Sequence, residues 1–426
     1  METHKEGICV GIDLCSDFSQ VSYCKVNSGE PVSVEFYTNS SKSNLFVPTV
    51  VSKTIGATQW YAGDEADTGA RLGEAVLITD LLRKVADKNP VSVDDVVVMP
   101  LDLLTIYVGY LLDIAKAASK CDDIRMVAVS LKDYNISVLK GIVKAFENVG
   151  IPRDRLITLS HDEGFVYYTI NQKPEFWKND VFLFDYDSEG LSVRRFYIAN
   201  SRGTRIVMVH PQDCSEEVPS SLAENEHSVE YLDEKLKNIS KSLFDKKNIS
   251  TVYLTGKYFK ENVNLPEFIK FVCDRRRVFA GNNLYCKGAC YYALLTYKDS
   301  LPKDMLVACS ERITTGIEIR IQDHGRDKIF RLVKPGVNWF DADCSYDFIV
   351  DNIDEIEVFL SPVDTMEKQV VKVSLDDFPD RKNRTMRIAL SFSFTSDSRC
   401  YMMVKDMGFG DFFGSSGMVI NEELLL

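Results

Sequence analysis

FLFDYDSEGLSV, at residues 182–193, contains an apolar strand, an acidic turn and the start of a second strand. Alternating apolar and polar side chains on either side of a short polar turn are typical of a β-hairpin. Asp185 stands near the end of the first strand, and Asp187, Ser188 and Glu189 form the turn. The segment therefore predicts a hairpin with a carboxylate at the end of a buried strand and further acid at its tip.

A second segment near the N-terminus has the same form. ICVGIDLCSDFSQVSYCKV, at residues 8–26, runs from an apolar strand through Asp13 into a short turn and another strand. Repetition of one supersecondary unit indicates a weak internal duplication. The pattern predicts two α/β lobes that offer Asp13 and Asp185 to a shared cleft.

The remaining periodicities divide the chain into domains. From Ile313 onward only strand signals recur, at intervals of roughly 10 to 15 residues, as is typical of an antiparallel sandwich. Helical spacing predicts helices at 68–88, 101–120, 133–149 and 228–248. The predicted domains are an α/β domain at 1–300, with lobe I at about 1–175 and lobe II at about 176–300, a linker at 301–311 and an all-β domain at 312–426.

Composition and charge exclude several classes of protein. The 426 residues are 45% hydrophobic and 27% charged, with a formal net charge of −13. An acidic chain lacks the positive footprint that nucleic acid or an anionic membrane requires, so neither is an expected partner. No long apolar segment occurs and the 11 cysteines contain no C-x-x-C pair, so we expect a cytoplasmic protein with reduced thiols.

A series of short motifs can be recognised along the chain. They are VGIDLCSDFSQVSYC, FVPTVV, YAGDEA, LITLSHDEGFVYYTI, FLFDYDSEGLSV, VYLTG, GACYYAL, ITTGIEIRI, RLVKPGVNWF and RIALSFSF. In this order and at this spacing the chain resembles the DnaK-type heat-shock protein 70 chaperones, of the actin, sugar-kinase and heat-shock ATPase superfamily. The resemblance implies a two-lobed actin-like ATPase domain, of duplicated ribonuclease H-like type, followed by a β-sandwich peptide-binding domain without a helical lid.

The resemblance also implies a nucleotide site with ATP or ADP and Mg²⁺. Asp13 and Asp185 match the aspartates that orient metal and water; the alternative is that they cap turns at strand ends. The positions that match cofactor-binding residues are Cys15, Ser16, Asp17, Asp187, Ser188, Gly190, Gly256, Lys257 and Gly288.

Several of these positions depart from the pattern that phosphate requires. Phosphate oxygens need unobstructed N–H donors and neutral or positive surroundings. Here Cys15, Ser16 and Asp17 replace Gly-Thr-Thr, and Asp187, Ser188 and Glu189 replace three glycines.

Single catalytic positions differ as well. Asp67 replaces the lysine that contacts the transferred phosphate, Ser192 replaces an aspartate, and His161 replaces a glutamate. His161 is interpreted either as a substitute acid or base or as a structural histidine. Nucleotide binding is therefore expected to be weak or lost.

The predicted β-sandwich offers a second kind of site. Trp339 and Phe340 stand beside a Pro-Gly turn, where they either contact an extended peptide or pack in the core. Phe409, Phe412 and Phe413 lie on a Gly-rich stretch that forms either a docking segment or a loop tucked into its own domain.

The leading hypothesis is a heat-shock-chaperone-like pseudo-ATPase that serves as a protein or peptide interaction module. The altered turns favour a protein that is not an enzyme; if active, it is an ATP hydrolase. One alternative is a divergent but active ATP-dependent chaperone, in which hydrolysis controls peptide binding. A third hypothesis is an actin-like assembly protein, which the C-terminal strands make less attractive.

Overall fold

The computed structural model describes residues 7–37, 43–201, 204–225, 228–259, 264–281, 283–351, 354–363, 367–379, 381 and 384–426. The chain is a mixed α/β protein with several sheets, 28% helix and 41% strand. Unit 1 comprises Met1–Ile198 and Val207–Lys303, and unit 2 comprises Ala199–Ile206 and Asp304–Leu426. Within the described residues, every helix is too short or too polar to cross a membrane.

Two sheets organise unit 1. Its strands are β1 (Ile8–Leu14), β2 (Phe18–Lys25), β3 (Val32–Ser33), β4 (Phe36–Tyr37), β5 (Ser43–Asn44), β6 (Val47–Pro48), β7 (Val51–Thr54), β8 (Trp60–Ala62), β9 (Ala75–Ile78), β10 (Val91–Val93), β11 (Val96–Val98), β12 (Ile124–Leu131), β13 (Leu156–Ser160), β14 (Asp180–Asp187), β15 (Gly190–Ser201), β16 (Thr204–Asp213), β17 (Ile249–Thr255) and β18 (Arg277–Ala280). The first sheet has the order β13-β12-β1-β2-β3, and in the second β18, β17, β14, β15 and β16 lie side by side in that order.

The helices cover and separate these sheets. They are α1 (Gly63–Arg71), α2 (Leu81–Asp87), α3 (Pro100–Ser119), α4 (Ile136–Asn148), α5 (His161–Ile170), α6 (Ser221–Glu224), α7 (Val229–Phe244), α8 (Pro266–Val272) and α9 (Leu284–Tyr297).

The two sheets repeat one local arrangement. In each, an antiparallel hairpin, β1–β2 or β14–β15, has a parallel strand on its other side, β12 or β17. The predicted hairpins are therefore confirmed. Carboxyl ends of parallel strands meet at one edge of a sheet, so both copies point their strand ends, and Asp13 and Asp185, to such an edge.

The prediction of one helix at 68–88 is confirmed only at its two ends, which lie in α1 and α2, and is wrong for residues 72–80 between them. Helix α1 ends at Arg71, and Gly73 follows with a φ of +73°, a left-handed conformation that ends a helix readily. Residues 75–78 then form β9, which pairs with β7. The apolar and β-branched AVLI segment fits a pleated strand, and helical periodicity does not reveal the break that the glycine introduces.

Two glycines, which have no side chain, allow helix α9 to approach its neighbours closely. A Cβ built on Gly11 would lie 2.2 Å from the Cys286 carbonyl oxygen, and one on Gly288 would lie 1.9 Å from the Gly164 carbonyl oxygen. Only glycine fits at either position. The contacts hold α9 against β1 and α5, and so place Tyr285 near the strand ends.

Unit 2 consists mainly of antiparallel strands. They are β19 (Met305–Ala308), β20 (Thr315–Asp323), β21 (Arg326–Val333), β22 (Cys344–Val350), β23 (Glu355–Pro362), β24 (Gln369–Ser374), β25 (Met386–Ser396), β26 (Arg399–Asp406) and β27 (Val419–Leu425). Two four-stranded sheets have the orders β21-β20-β23-β24 and β22-β25-β26-β27. Buried and exposed residues alternate along β25 and β26, as their sequence predicts. Strand β19 falls within the predicted linker, and β27 was not predicted.

Candidate functional site

A cavity of about 590 Å³ lies at the strand ends of both halves of unit 1. It has the size of a small-molecule site. Its lining includes the ends of β1, β12 and β14 and the start of α5. The charged side chains in the lining are those of Asp13, Asp17, Asp133, Asp185, Asp187, Glu189, Arg83, Lys132 and Lys257. Carboxylates predominate, so the cavity favours positive rather than negative ligands.

Asp13 is buried and already has a partner. Its side chain lies at the end of β1 and is 6% exposed. The Oδ1 atom of Asp13 lies 2.7 Å from Nε2 of His161, the first residue of α5. The thiol of Cys15 lies 3.7 Å from the same Oδ1 and 3.9 Å from the same Nε2. Burial, followed by the charges of nearby carboxylates, raises the pKa of the Cys15 thiol well above its ordinary value.

Tyr285 connects the two aspartates. Its ring stacks on His161 with centroids 3.8 Å apart and planes 10° apart. Its hydroxyl donates a 2.7 Å hydrogen bond to Oδ2 of Asp185. The Arg194 guanidinium lies 3.6 Å from that carboxylate. Burial raises the pKa of the Asp185 carboxyl, and Arg194 acts in the opposite direction.

The acid of the second turn is paired with a lysine from the other half of unit 1. The Lys132 ammonium, directly after β12, lies 2.7 Å from Oε2 of Glu189 and 3.2 Å from Oδ2 of Asp187. Although burial lowers the pKa of Lys132, these carboxylates raise it above its ordinary value. The Ser188 hydroxyl also donates to Oδ2 of Asp17 at 3.3 Å. The two turns are therefore tied to each other across the cleft.

Three backbone amides at the two turns are occupied by the turns' own acceptors. The amide of Phe18 donates to Oδ1 of Asp17 at 3.0 Å, and the amide of Glu189 donates to Oδ1 of Asp187 at 3.0 Å. The amide of Cys15 donates to the carbonyl oxygen of Phe18 at 3.3 Å. A nucleotide phosphate needs such amides as donors. The residues present therefore do not fit a magnesium–nucleotide complex.

The other predicted cofactor-binding positions fall into two groups. Ser16, Gly256 and Lys257 line the cavity. Gly256 has a φ of +94°, and a Cβ there would lie 2.3 Å from the Tyr186 carbonyl oxygen. By contrast, Gly190 and Gly288 allow neighbouring segments of the chain to pack closely against them. A Cβ on Gly190 would lie 2.7 Å from the Ser215 Cβ, and Gly288 packs against α5.

Two of the positions at which the sequence departs from the chaperone pattern have structural partners. Asp67, on α1, forms a 2.7 Å ion pair with Arg71 one helical turn away. The hydroxyl of Ser192 accepts a 2.9 Å hydrogen bond from Arg194. Neither residue belongs to the described lining of the cavity. These contacts favour structural roles for both positions.

The two aromatic residues predicted to bind peptide in unit 2 differ in exposure. Trp339 is only 3% exposed, and its indole N–H donates to the Glu311 carboxylate. Phe340 is half-buried, and its ring contacts that of Trp339 edge to face at 6.0 Å. Trp339 therefore packs in the interior, the alternative left open by the sequence.

A second aromatic group in unit 2 is exposed. Phe412 is 96% exposed on the loop between β26 and β27. The base of this loop is held by Asp406, which receives two hydrogen bonds from Arg381, at 2.8 and 2.9 Å, and others from the amides of Gly408 and Ser416. The Phe412 side chain is thus not tucked into the domain, and a docking role for this loop stays a prediction.

Comparison with known proteins identifies a family but no activity. Residues 30–310 match the model described as "Family of unknown function (DUF5716) C-terminal". The chain belongs to the DUF5716 family. Residues 312–426 match a domain of unknown function, DUF8552. No curated protein matches the chain.

Sequence reasoning missed three residues of this DUF5716 site. Lys132 follows the apolar strand IRMVAVSL directly, the same strand-end position that marked Asp13 and Asp185. Its position directly after a buried strand could therefore have identified Lys132 as a site residue. Arg194 and Tyr285 had no such signal, because one lies within a strand and the other within the first turn of a helix.

Proposed function

We propose that this protein has the architecture of DnaK-type heat-shock chaperones, an actin-like two-lobed domain followed by a β-sandwich. We further propose that its first unit is a pseudo-ATPase and that the protein is a protein or peptide interaction module. The order of the motifs supports the architecture, as do the repeated hairpin-plus-parallel-strand arrangement of unit 1 and the two antiparallel sheets of unit 2.

One observation carries the pseudo-ATPase proposal: the carboxylates of Asp17 and Asp187 accept the amides of their own turns. A phosphate that binds these amides would have to displace both carboxylates, and it would then lie beside their negative charges. Two like charges 4 Å apart repel by about 4 kcal/mol at an effective dielectric constant of 20. One such repulsion, from Asp17, equals about half of the binding free energy of a micromolar ligand, about 8 kcal/mol, and a phosphate that displaced Asp187 would also disturb its ion pair with Lys132.

The aspartates themselves support the same conclusion. Magnesium takes oxygen ligands from carboxylates, carbonyls and water. Oδ1 of Asp13 instead faces the nitrogen of His161 and the sulfur of Cys15, and Oδ2 of Asp185 accepts a hydrogen bond from Tyr285. The lobes are also joined through Lys132 and Glu189, so a nucleotide would have to separate an ion pair before it entered.

Titration calorimetry of the full chain with Mg-ATP and Mg-ADP tests this proposal. We expect no binding heat at micromolar to submillimolar nucleotide and no ATP turnover. Asp13→Ala and Asp185→Ala should then behave as the wild type does. Asp67→Ala, which removes a carboxylate outside the cleft lining, is the matched control. Micromolar binding, with turnover that both cleft variants abolish and the control retains, would overturn the proposal.

Unit 2 provides the surface that we propose for protein or peptide binding. An exposed aromatic side chain on a fixed loop supplies a large contact area at low conformational cost. Fluorescence anisotropy with apolar extended peptides tests this role. Phe412→Ala should weaken binding at least tenfold, whereas Ile349→Ala, which removes a side chain 58% exposed on β22, should not. Equal effects of the two substitutions would contradict the assignment.

A further inference from the structure

Three different donor atoms converge at one wall of the cleft. Oδ1 of Asp13, Sγ of Cys15 and Nε2 of His161 all lie within 4.8 Å of one another. Asp13 and His161 are buried, and all three residues line the cavity. A carboxylate, a thiolate and an imidazole form the ligand set of zinc and related cations, whereas magnesium requires oxygen ligands.

The separations are close to those of a tetrahedral centre. Bond lengths of about 2.0 to 2.3 Å place tetrahedral ligand atoms roughly 3.3 to 3.6 Å apart. The two distances from the Cys15 thiol, 3.7 and 3.9 Å, exceed this range slightly. The distance from Asp13 to His161 is shorter, 2.7 Å, because a hydrogen bond joins the two groups. Movements of well under 1 Å would therefore admit a cation.

The imidazole of His161 is held in place by both Tyr285 and Asp13. Stacking on Tyr285 sets the plane of the ring. The other ring nitrogen, Nδ1, is buried without a hydrogen-bond partner among the described residues. Because a carboxylate only accepts hydrogen bonds, Nε2–H donates to Asp13, and Nδ1 carries the lone pair of the neutral ring. A metal at Nε2 would therefore replace that proton, which Nδ1 can take up.

The surrounding charge favours a cation. The acidic lining that rejects a triphosphate attracts a divalent ion. The departures from the resemblance point the same way, because Cys15 and His161 stand where the chaperones carry a glycine and a glutamate. Both replacements introduce softer donors beside Asp13.

We propose that Asp13, Cys15 and His161 bind a thiophilic divalent cation of the Zn²⁺ class, with a water at a fourth position that faces the cavity. When the metal binds, the thiol proton is released to solvent and the imidazole proton moves from Nε2 to Nδ1, so that His161 remains neutral. This site goes beyond the pseudo-ATPase proposal and does not depend on it, because its test uses metal without nucleotide.

Titration of the full chain with Co²⁺, a spectroscopic substitute for Zn²⁺, tests the proposal. We expect a single tight site with the ultraviolet charge-transfer band of a cobalt–thiolate bond, and displacement of Co²⁺ by Zn²⁺ but not by equimolar Mg²⁺. Cys15→Ser should abolish the band. His161→Asn should weaken binding by more than the roughly 10- to 100-fold that loss of an outer-shell partner costs.

Two matched variants control for other donors. Cys273→Ser removes an exposed cysteine, and His324→Asn removes an exposed histidine of unit 2; both should bind Co²⁺ as the wild type does. Absence of a thiolate band in the wild type, its persistence in Cys15→Ser, or displacement by Mg²⁺ would overturn the proposal.

A measurement on the wild type guards against variants that fail to fold. Mass spectrometry follows alkylation of individual cysteines, with exposed Cys273 as the internal reference. One equivalent of Zn²⁺ should slow alkylation of Cys15 at least tenfold and leave Cys273 unchanged. Equal rates for Cys15 with and without Zn²⁺ would overturn the proposal, whatever the result with ATP.

Discussion

Replacement of Lys132 by glutamine should destabilise unit 1, because this lysine holds the acidic turn. Its ammonium bridges Glu189 and Asp187, and its side chain is 23% exposed. The Glu189 side chain is 67% exposed, so solvent screens that pair and limits its contribution to about 0.5 kcal/mol. Asp187 is only 30% exposed, and an unpaired carboxylate there costs about 1 to 2 kcal/mol more. The expected total is about 2 kcal/mol.

Differential scanning calorimetry measures this loss. Unfolding entropy of about 2.1 cal/mol/K per residue gives roughly 0.6 kcal/mol/K for the roughly 300-residue unit 1, so its Tm should fall by about 3 °C. Lys144→Gln is the control, because Lys144 forms an exposed pair with Glu147 within one helix and should shift the Tm by less than about 1 °C. A double-mutant cycle with Glu189→Gln should give a coupling energy near 0.5 kcal/mol. An unchanged or raised Tm in Lys132→Gln would refute the reasoning.

Two further predictions concern packing and pH. Gly288→Ala should destabilise unit 1 by about 3 kcal/mol or more, because the new Cβ would meet the Gly164 carbonyl oxygen. Gly109→Ala, whose Cβ would have an ordinary 3.5 Å contact, should be neutral or slightly stabilising; equal losses in calorimetry would contradict this difference. Although burial acts in the opposite direction, Arg381 and the loop amides hold the pKa of Asp406 well below its usual range. The contribution of Asp406 to the stability of the folded state is therefore complete above the unfolded-state pKa of about 3.9. The Tm of unit 2 should therefore fall as the pH drops below about 4, and Asp406→Asn should reduce that dependence. Glu318 should retain part of it, because burial is outweighed there by Lys368 and Arg331, which lower the Glu318 pKa as well; an unchanged acid slope in Asp406→Asn would contradict the prediction.

The hairpins and strands could be predicted because their signals are local. Alternation over a few residues predicted β1 and most strands of unit 2, and apolar runs predicted β12 and β14. The segment at 68–88 failed because one glycine, Gly73, outweighs the periodicity around it. Its left-handed backbone ends α1 and lets the following residues pair with β7.

The site could be predicted only in part because its partners are distant in sequence. Asp13 and Asp185 were identifiable from strand ends. The pairing of Asp13 with His161, and of the second turn with Lys132, joins residues 148 and 55 positions apart. Such contacts depend on strand order, β13-β12-β1 in the first sheet, which periodicity does not encode.

The acid at 187–189 has a different physical role from the one its sequence suggests. As isolated charges, Asp187 and Glu189 only repel phosphate. In the folded chain the Asp187 carboxylate accepts the Glu189 amide, while both carboxylates pair with Lys132. A turn that exposes amides to a phosphate is satisfied only when the ligand is present, whereas a turn with its own carboxylate is satisfied without one. An aspartate at this position therefore both occupies an amide that a phosphate would need and stabilises the turn without a ligand. Under the pseudo-ATPase proposal, that double effect is the reason why acid, rather than a neutral side chain such as alanine, suits this turn.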